Sequence, residues 1–508
     1  MEQSAPQRES ASRSVGDEGE RRFSFTGSVR SEAARGAAIY ALFTVALGVL
    51  SLVKGFILAG FLSRSAYGIW GVLVVSLSTL LWVKQAGVGD KFVQQDEPDQ
   101  EAAFQQAFTL ELALTGACVV VIAIALPILV LIYDLPQLVL PGIVIMAALL
   151  ISVLQAPLWV YYRRMEFRRQ RMLAAVDPIV EFIVSVALAI AGAGYWAFVG
   201  GLAAGVTAAS LVAVWNSPFK LRLRYERGAL RSYWSFSGPL LVAGGAAFVM
   251  AWSAVIAAKL DLGVAAVGVI ALADNITAFS ERVDDVVTGA LYPAICAVTD
   301  QIELLYESLV KSNRLALMWA VPFGVAITLF CPDLVRFGIG ERWRPAITML
   351  QLYGVTAALN HIGFNWTAYF RAIGRTRPIA VVTVAATVAF LVAGIPLLLT
   401  LGLRGFALGI VIQALVALAF RAYYLQQLFP GFDFLAHAAR SFLPTVPATA
   451  LVLVARLLES GRRTLLEAVC ELVAYAVVTA AFTWLLESSL LREAIGHLRP
   501  APTVVAAG

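Results

Sequence analysis

Two lysines stand alone in long apolar runs, Lys54 in GVLSLVKGFILAGF and Lys84 in VVSLSTLLWVKQAG. An ammonium held in a low-dielectric setting attracts an anion far more strongly than it does in water. The chemistry open to these two groups is therefore capture of a phosphate. The alternative is that each lysine extends its stem and places its charge at a head-group surface. A third polar segment, ADNITAFSERVDDVVTGALYP (273–293), is denser in charge. At about 100° per residue, Asp274, Thr277, Glu281, Asp284, Asp285 and Thr288 share one arc of a helix, with Arg282 as the basic neighbour. A single polar face on an otherwise apolar helix is the pattern of a wall lining water. Such a stripe could carry a coupling cation, or neutralise Lys54 or Lys84 when the cavity is empty. Ala271 is expected on the other side of that helix, in packing.

Farther along, Gln351, His361, Asn365 and Tyr369 form a weaker stripe, the last three spaced i, i+4, i+8. His361 has the ordinary pKa for a titrating switch, although a lone helical histidine is more often a packed, hydrogen-bonded group. Glu181 lies one turn deeper in its apolar run than Asp177, and Glu111 is similarly shallow. Five arginines, Arg163, Arg164, Arg168, Arg169 and Arg171, fall within VYYRRMEFRRQRM (160–172). They read either as a topology anchor against anionic lipid or as a contact for a phosphorylated lipid. Cys118, Cys296, Cys331 and Cys470 are far apart, with no CxxC and no Cys/His cluster, so neither a metal site nor a disulfide framework is expected. No GxxxxGK[ST] nucleotide loop is present, and no cofactor is expected.

These residues must be positioned by membrane helices. The chain has 508 residues, 60% hydrophobic and only 14% charged, with a mean hydropathy of +0.80. A bilayer core of about 30 Å takes about 20 apolar residues per helix. Such stretches recur from Ala37 to Leu486 and are continuous rather than alternating, which excludes a β-barrel. Fourteen spans can be drawn, the first at about 36–62 and the last at 466–487. The element at 264–298 is too long to cross straight, so it is tilted, broken or extended past the membrane. A polar tail of about 35 residues precedes the first run and reads as a disordered cytoplasmic segment rather than a cleaved leader.

Basic residues set the orientation. With the N-terminus inside, 26 of the 38 Lys and Arg fall on the cytoplasmic side, 9 outside and 3 within spans. The sequence thus predicts a multi-pass protein of the cytoplasmic (inner) membrane with both termini in the cytoplasm. The pI near 9 is then a property of cytoplasmic loops, and membrane lipids, not nucleic acid, are the expected contacts.

Three landmarks recur about 200 residues apart. SAYGIWGVLVVSL (65–77) answers to AAVGVIALADNIT (265–277), YYRRMEFRRQRM to YFRAIGRTRPIA (369–380), and GYWAFVGGLAAG (194–205) to GFALGIVIQALV (405–416). The organisation expected is an all-α protein with a tail (1–35), a six-helix lobe (36–215), a cytoplasmic linker (216–237), a second six-helix lobe (238–424), two further helices (425–487) and a tail (488–508). An even number of helices per lobe makes the repeat parallel, about an axis along the membrane normal. Gly201 and Gly205 add a GxxxG pair suited to close helix approach.

The order of FLSRSAYGIWGV, QAGVGDKFVQ, LWVYYRRMEFRRQ and GAGYWAFV, then KLDLGVAAVGVIALA, YPAICAVTD, RFGIGERWRPAITMLQL and FRAIGRTRP, resembles the polysaccharide transporter family over about residues 36–430. These are O-antigen and exopolysaccharide flippases of the multidrug/oligosaccharidyl-lipid/polysaccharide exporter superfamily. The resemblance implies movement of a polyprenyl-linked oligosaccharide between leaflets, without enzymatic chemistry, alongside a polysaccharide polymerase or glycosyltransferases. The family often carries an acid about nine positions before the glycine that is Gly263 here. This chain has Ala254 there, beside Ser253, so no role of that acid transfers. Two rivals stand beside this reading. One is a cation-coupled multidrug antiporter of the same superfamily, which the acidic stripe would suit. The other is a membrane glycosyltransferase or ligase, disfavoured by short outer loops.

Overall fold

The computed structural model describes residues 27–84, 88–89, 92, 98–164, 166–224, 249–373, 375, 377–459 and 463–498. Their side chains are described except at 27–41, 75–84, 282–287, 289–294, 296–297, 435 and 494–498. Among the described residues the chain is helical and contains no strand. The first half holds α1 (Gly27–Phe61), α2 (Arg64–Lys84), α3 (Gln100–Tyr133), α4 (Val139–Ser152), α5 (Pro157–Arg163), α6 (Phe167–Ala174), α7 (Val176–Ile190) and α8 (Trp196–Trp215). The second half holds α9 (249–262), α10 (Val264–Ala297), α11 (Ile302–Asp333), α12 (Ala346–His361), α13 (Trp366–Ala372), α14 (Arg377–Ala389), α15 (Ile395–Leu401) and α16 (Leu403–Leu428). A short amphipathic α17 (Phe434–Phe442) leads into a terminal pair, α18 (Val446–Leu458) and α19 (Leu465–Leu498).

Among the described residues, eleven helices are long and apolar enough to cross a membrane. Of the fourteen spans drawn from sequence, the three not among them are 67–89, 238–258 and 346–370. The first is represented by α2, whose side chains are described only to Val74, and the second by α9, which begins where the described residues resume. The third is interrupted: α12 ends at His361 and α13 starts at Trp366, with Gly363 between them at φ +70°. Large apolar side chains face outward along many helices, among them Ile124, Leu131, Val392 and Leu457. In water such a surface would be a liability; against acyl chains it is the expected solvent contact.

A break in a membrane helix leaves carbonyls that must be satisfied internally. Arg421 of α16 donates to the carbonyls of Asn360 (2.6 Å) and Ile362 (2.8 Å). Asn313 of α11 donates to the carbonyl of His361 (2.7 Å) and accepts from the Gly363 amide (3.1 Å). The break is therefore held by two side chains from two different helices. By contrast α10 runs unbroken for 34 residues, about 51 Å at 1.5 Å per residue. It turns at 298–301 into α11, another 32 residues. The long 264–298 element is thus one arm of a helical hairpin that outreaches a bilayer, and the segment before 315 is helix rather than loop.

The largest core lies at the junction of the two halves, around Leu58, Tyr67, Phe198, Ile270, Trp343, Met349 and Phe406. The terminal pair is fastened to α11 along its length. At one end Arg463 binds Asp333 (2.5 Å) and Glu471 (2.7 Å), while Arg456 reaches the same two carboxylates. Midway, the Tyr475 hydroxyl donates to the Pro322 carbonyl (2.9 Å). At the other end Lys311 pairs with Glu493, and Arg314 with Glu487. Thr464 and Glu467 start α19 with a reciprocal capping box.

Candidate functional site

The two halves meet where α2 crosses α10, and the crossing is made by glycine. A Cβ on Gly68 would stand 1.8 Å from the Val264 carbonyl oxygen, and one on Gly268 would stand 1.9 Å from that of Arg64. Gly68 and Gly268 are the matching positions of the two SAYG and AAVG landmarks. Beside the crossing, Trp343 is fully buried and donates its indole N–H to the Ala59 carbonyl of α1 (2.7 Å). Its ring meets Tyr67 edge-on at 5.0 Å, and Tyr67 meets Phe198 likewise at 4.9 Å. Arg342 donates to the carbonyls of Ala59 and Gly60. Backbone contact, an aromatic wedge and three cross-half hydrogen bonds seal this end of the interface.

Below the seal a cavity of about 240 Å³ opens between the halves. Tyr67, Trp70, Gly71, Val74 and Phe198 form one wall; Ile270, Ala271, Asp274, Asn275 and Ala278 form the other. Asp274 is accessible to solvent, and it is this cavity that it lines. Tyr353 is the tyrosine whose side chain interacts electrostatically with its carboxylate. Ala271 lies on the same wall, its methyl 2.9 Å from where a Cβ on Gly71 would stand. The expectation that it occupies the opposite side of the helix is corrected: the close approach of α2 brings positions 271 and 274, one turn apart, to the same lining.

A second pocket, about 430 Å³, lies within the first half between α1 and α7. Here Lys54 Nζ meets Glu181 Oε1 at 2.5 Å, with the side chains 13% and 22% exposed. Arg171, Ser51 and Thr44 complete its polar lining. The acid that neutralises Lys54 thus comes from α7 of the same half, and not from the stripe on α10. The sequence carries a signal for this. Asp177, Glu181 and Ser185 are spaced i, i+4, i+8 on α7, and α8 packs on that row through its GxxxG. A Cβ on Gly201 would strike Ser185 Oγ, and one on Gly205 would strike Asp177. The glycines bring α8 so close to this polar row that the carboxylate between them points to Lys54. The two pockets approach each other at α1, where Asn275 Oδ1 stands 2.3 Å from where a Cβ on Gly55 would lie.

The remaining sequence candidates divide. Glu281 is exposed, and Thr277 donates to the Ala273 carbonyl at 2.9 Å. The side chains of Lys84, Arg282, Asp284 and Asp285 lie outside the described residues. His361 is buried, Nδ1 2.6 Å from the Ala357 carbonyl and Nε2 3.1 Å from that of Ser280. Asn365 is buried and donates to Ser312 Oγ (2.7 Å), and Tyr369 donates to Ser308 Oγ (2.9 Å). That stripe packs on α11 and α10 inside the second half. The arginine cluster also splits by role. Arg163 donates to the Phe92 carbonyl (2.9 Å), and Arg164 and Arg169 lie over the rings of Phe219 and Tyr161. Arg168 is exposed, and Arg171 turns into the Lys54 pocket. Ala254, where the resemblance expects an acid, is buried in the junction core.

The two halves of this helical membrane protein thus close over a mostly apolar cavity that holds Asp274 and Asn275, at a repeat-matched crossing. Residues 57–348 match the model of a polysaccharide biosynthesis protein family, Polysacc_synt_3, and the chain belongs to that family. Its fold is similar to that of the lipid II flippase MurJ in an inward closed conformation, with a TM-score of 0.64, 12% identity, and coverage of 90% of this chain and 100% of that one. It is similar also to an inward-facing multidrug resistance MATE family transporter of the MOP superfamily, with a TM-score of 0.61, 16% identity and coverage of 77% and 100%. A MOP superfamily transporter from Pyrococcus furiosus, described as having a binding pocket of reverse polarity, aligns with a TM-score of 0.51, 17% identity and coverage of 78% and 97%. No curated protein matches the chain. The family resemblance read from the sequence landmarks is borne out, as is the all-helical membrane fold.

Proposed function

We propose that this protein moves a lipid-linked oligosaccharide from the inner to the outer leaflet of the cytoplasmic membrane by alternating access of two six-helix lobes, 36–215 and 238–424. The observation that carries the reading is the Lys54–Glu181 pair with Arg171 in the α1–α7 pocket, one face of α1 away from the inter-half cavity. A sugar and pyrophosphate head group cannot cross hydrocarbon unassisted, because each unsatisfied polar group costs several kcal/mol there. Lys54 and Arg171 bring two cations to that pocket beside Glu181, with Asp177 one turn away on the same helix. An entering phosphate can take the place of Glu181 on Lys54 and gain Arg171, while the lipid chain stays in the bilayer. The glycine crossing is the outer seal in this reading, with both termini cytoplasmic. Family membership and the MurJ-like fold agree with it.

The test is flipping of a fluorescent lipid-linked oligosaccharide in proteoliposomes, with protein amount matched. Transport by the wild type and its loss in Lys54→Gln is the expected outcome. Flipping at the background rate, together with proton- or sodium-driven ethidium export, would establish the rival instead. Asp274, an accessible carboxylate in the inter-half cavity, favours that second reading, since an organic cation would pair with it.

A further inference from the structure

A third recess lies away from both pockets, at the end of the molecule where α2 and α16 begin. It is a cleft of about 600 Å³ that draws one arginine from each half, Arg64 at the start of α2 and Arg404 at the start of α16. Its floor is apolar, built from Leu262, Val269, Leu401 and Leu403, and among the described residues no acidic one lines it. Among the described residues neither guanidinium has an ion-pair or hydrogen-bond partner. Other cations of the molecule are neutralised by carboxylates, among them Lys54, Lys311, Arg314, Arg456 and Arg463. Nor do the two charges follow from the repeat, whose matching positions are Val264 and Ala193.

Two like charges facing one cleft repel unless an anion sits between them, and a guanidinium offers paired donors that match phosphate oxygens. An apolar floor beneath such a clamp suits a ligand with a hydrocarbon chain joined to its phosphate. We infer that the Arg64–Arg404 cleft is a binding site for the phosphate of a lipid, the hydrocarbon chain lying along Leu262, Val269 and Leu401. Two lipids offer that chemistry, a glycerophospholipid of the surrounding leaflet and a prenyl pyrophosphate. The site lies on the far side of the Gly68–Gly268 crossing from the inter-half cavity, because Arg64 and Val264 are the residues whose carbonyls the two glycines touch. Its occupant is therefore distinct from anything held in that cavity.

The inference is independent of what the cavity carries, and its test reads binding rather than transport. Full-length protein in nanodiscs of phosphatidylcholine is titrated with farnesyl pyrophosphate and, separately, with dioleoylphosphatidylglycerol, with native mass spectrometry counting bound copies. The wild type should bind at least one of the two, and Arg64→Gln/Arg404→Gln should weaken that binding about tenfold or more, the loss expected when charge-assisted phosphate contacts are removed. Dependence with farnesyl pyrophosphate identifies a prenyl pyrophosphate site; dependence with phosphatidylglycerol alone identifies a site for leaflet lipid. Arg64→Lys/Arg404→Lys, which keeps charge but not the paired donors, should fall between. Arg404 is exposed and Arg64 half-buried, so the thermal unfolding midpoint should move little; should the double Gln variant unfold early, Arg404→Glu alone provides the second reading. Equal binding of both lipids by wild type and charge-removed variants would overturn the inference.

Discussion

Lys54 Nζ and Glu181 Oε1 are 2.5 Å apart although 127 residues separate them in the chain, and each is mostly shielded from solvent. The pair ties α1 to α7 and neutralises Lys54, the one cation among the described side chains of α1. Removing one partner of a shielded pair leaves the other charge stranded, at a cost on the order of 3–5 kcal/mol. Lys54→Gln and Glu181→Gln should therefore each lower the unfolding midpoint, and the double Gln variant should recover most of that loss. The reversed pair, Lys54→Glu/Glu181→Lys, should fold like the wild type. If Lys54 serves only as a structural partner, the reversed pair should also flip substrate normally. If it meets phosphate from α1, flipping should stay at least tenfold down.

The crossing at Gly268 admits no side chain while the seal is shut. Gly268→Ala places a methyl against the Arg64 backbone, which cannot rotate away as a flexible side chain could. The variant should populate a state opened on the sealed side. An Asp274→Cys reporter combined with Gly268→Ala should then react with an impermeant thiol reagent from that side several times faster than the reporter alone. An unchanged rate would mean that the halves do not part here.

Asp274 borders space rather than packed side chains, so Asp274→Ala should reduce transport strongly while leaving the amount of folded protein nearly unchanged. Ala271→Leu adds bulk on the same wall, where α2 is already at contact distance. It should block transport by filling the cavity and pushing on Gly71. Both are read by flipping rate per folded molecule, and a loss of folded protein in Asp274→Ala would contradict the cavity assignment.

The terminal pair owes one of its attachments to Arg463, which binds Asp333, Glu459 and Glu471. Hydrogen bonds that it donates to Glu471 and Asp333 raise its pKa above the ordinary arginine value, so the guanidinium is charged at any working pH. Arg463→Ala leaves three carboxylates facing one another with Arg456 as their remaining cation. The expected effect is a fall of several degrees in unfolding midpoint and faster proteolysis between α18 and α19. Arg463→Lys should restore only part of the loss, since a point charge cannot serve three acceptors as a planar fork does.

Orientation is tested at two exposed arginines. Arg168→Cys should react with an impermeant reagent only after the membrane is opened, and Arg342→Cys should react in intact cells. Labelling of position 168 from outside would invert the topology and, with it, the direction of transport.

Much of this was legible in the sequence because apolar length acts residue by residue. The helices, the repeat landmarks and the family followed from local pattern. The interrupted span at 362–365 did not, since its stability comes from Arg421 and Asn313, distant residues whose hydrogen bonds replace those the helix gives up. The site was legible in part. Lys54 and Asp274 stand out as charges in apolar runs. The choice of Glu181 as the partner of Lys54, and the separation of Arg171 from its four arginine neighbours, depend on how closely α8 and α6 approach α7 and α1. One sequence cannot report that distance, although the spacing of Asp177, Glu181 and Ser185 opposite a GxxxG was a visible clue.

The glycine crossing has a consequence for how such a protein could arise. In the register of the repeat, Gly68 touches the neighbourhood of its own counterpart, so a contact of this kind also forms between two identical six-helix chains related by a two-fold axis. An unfused ancestor could have closed by meeting itself at one glycine. In a joined chain the surroundings are free to differ: in the register of the repeat, Tyr67, Trp70 and Val74 correspond to Val267, Ile270 and Asp274. The carboxylate at 274 could enter one wall without a second carboxylate facing it. Asymmetry of charge across a symmetric closure is what a joined chain permits and a homodimer forbids.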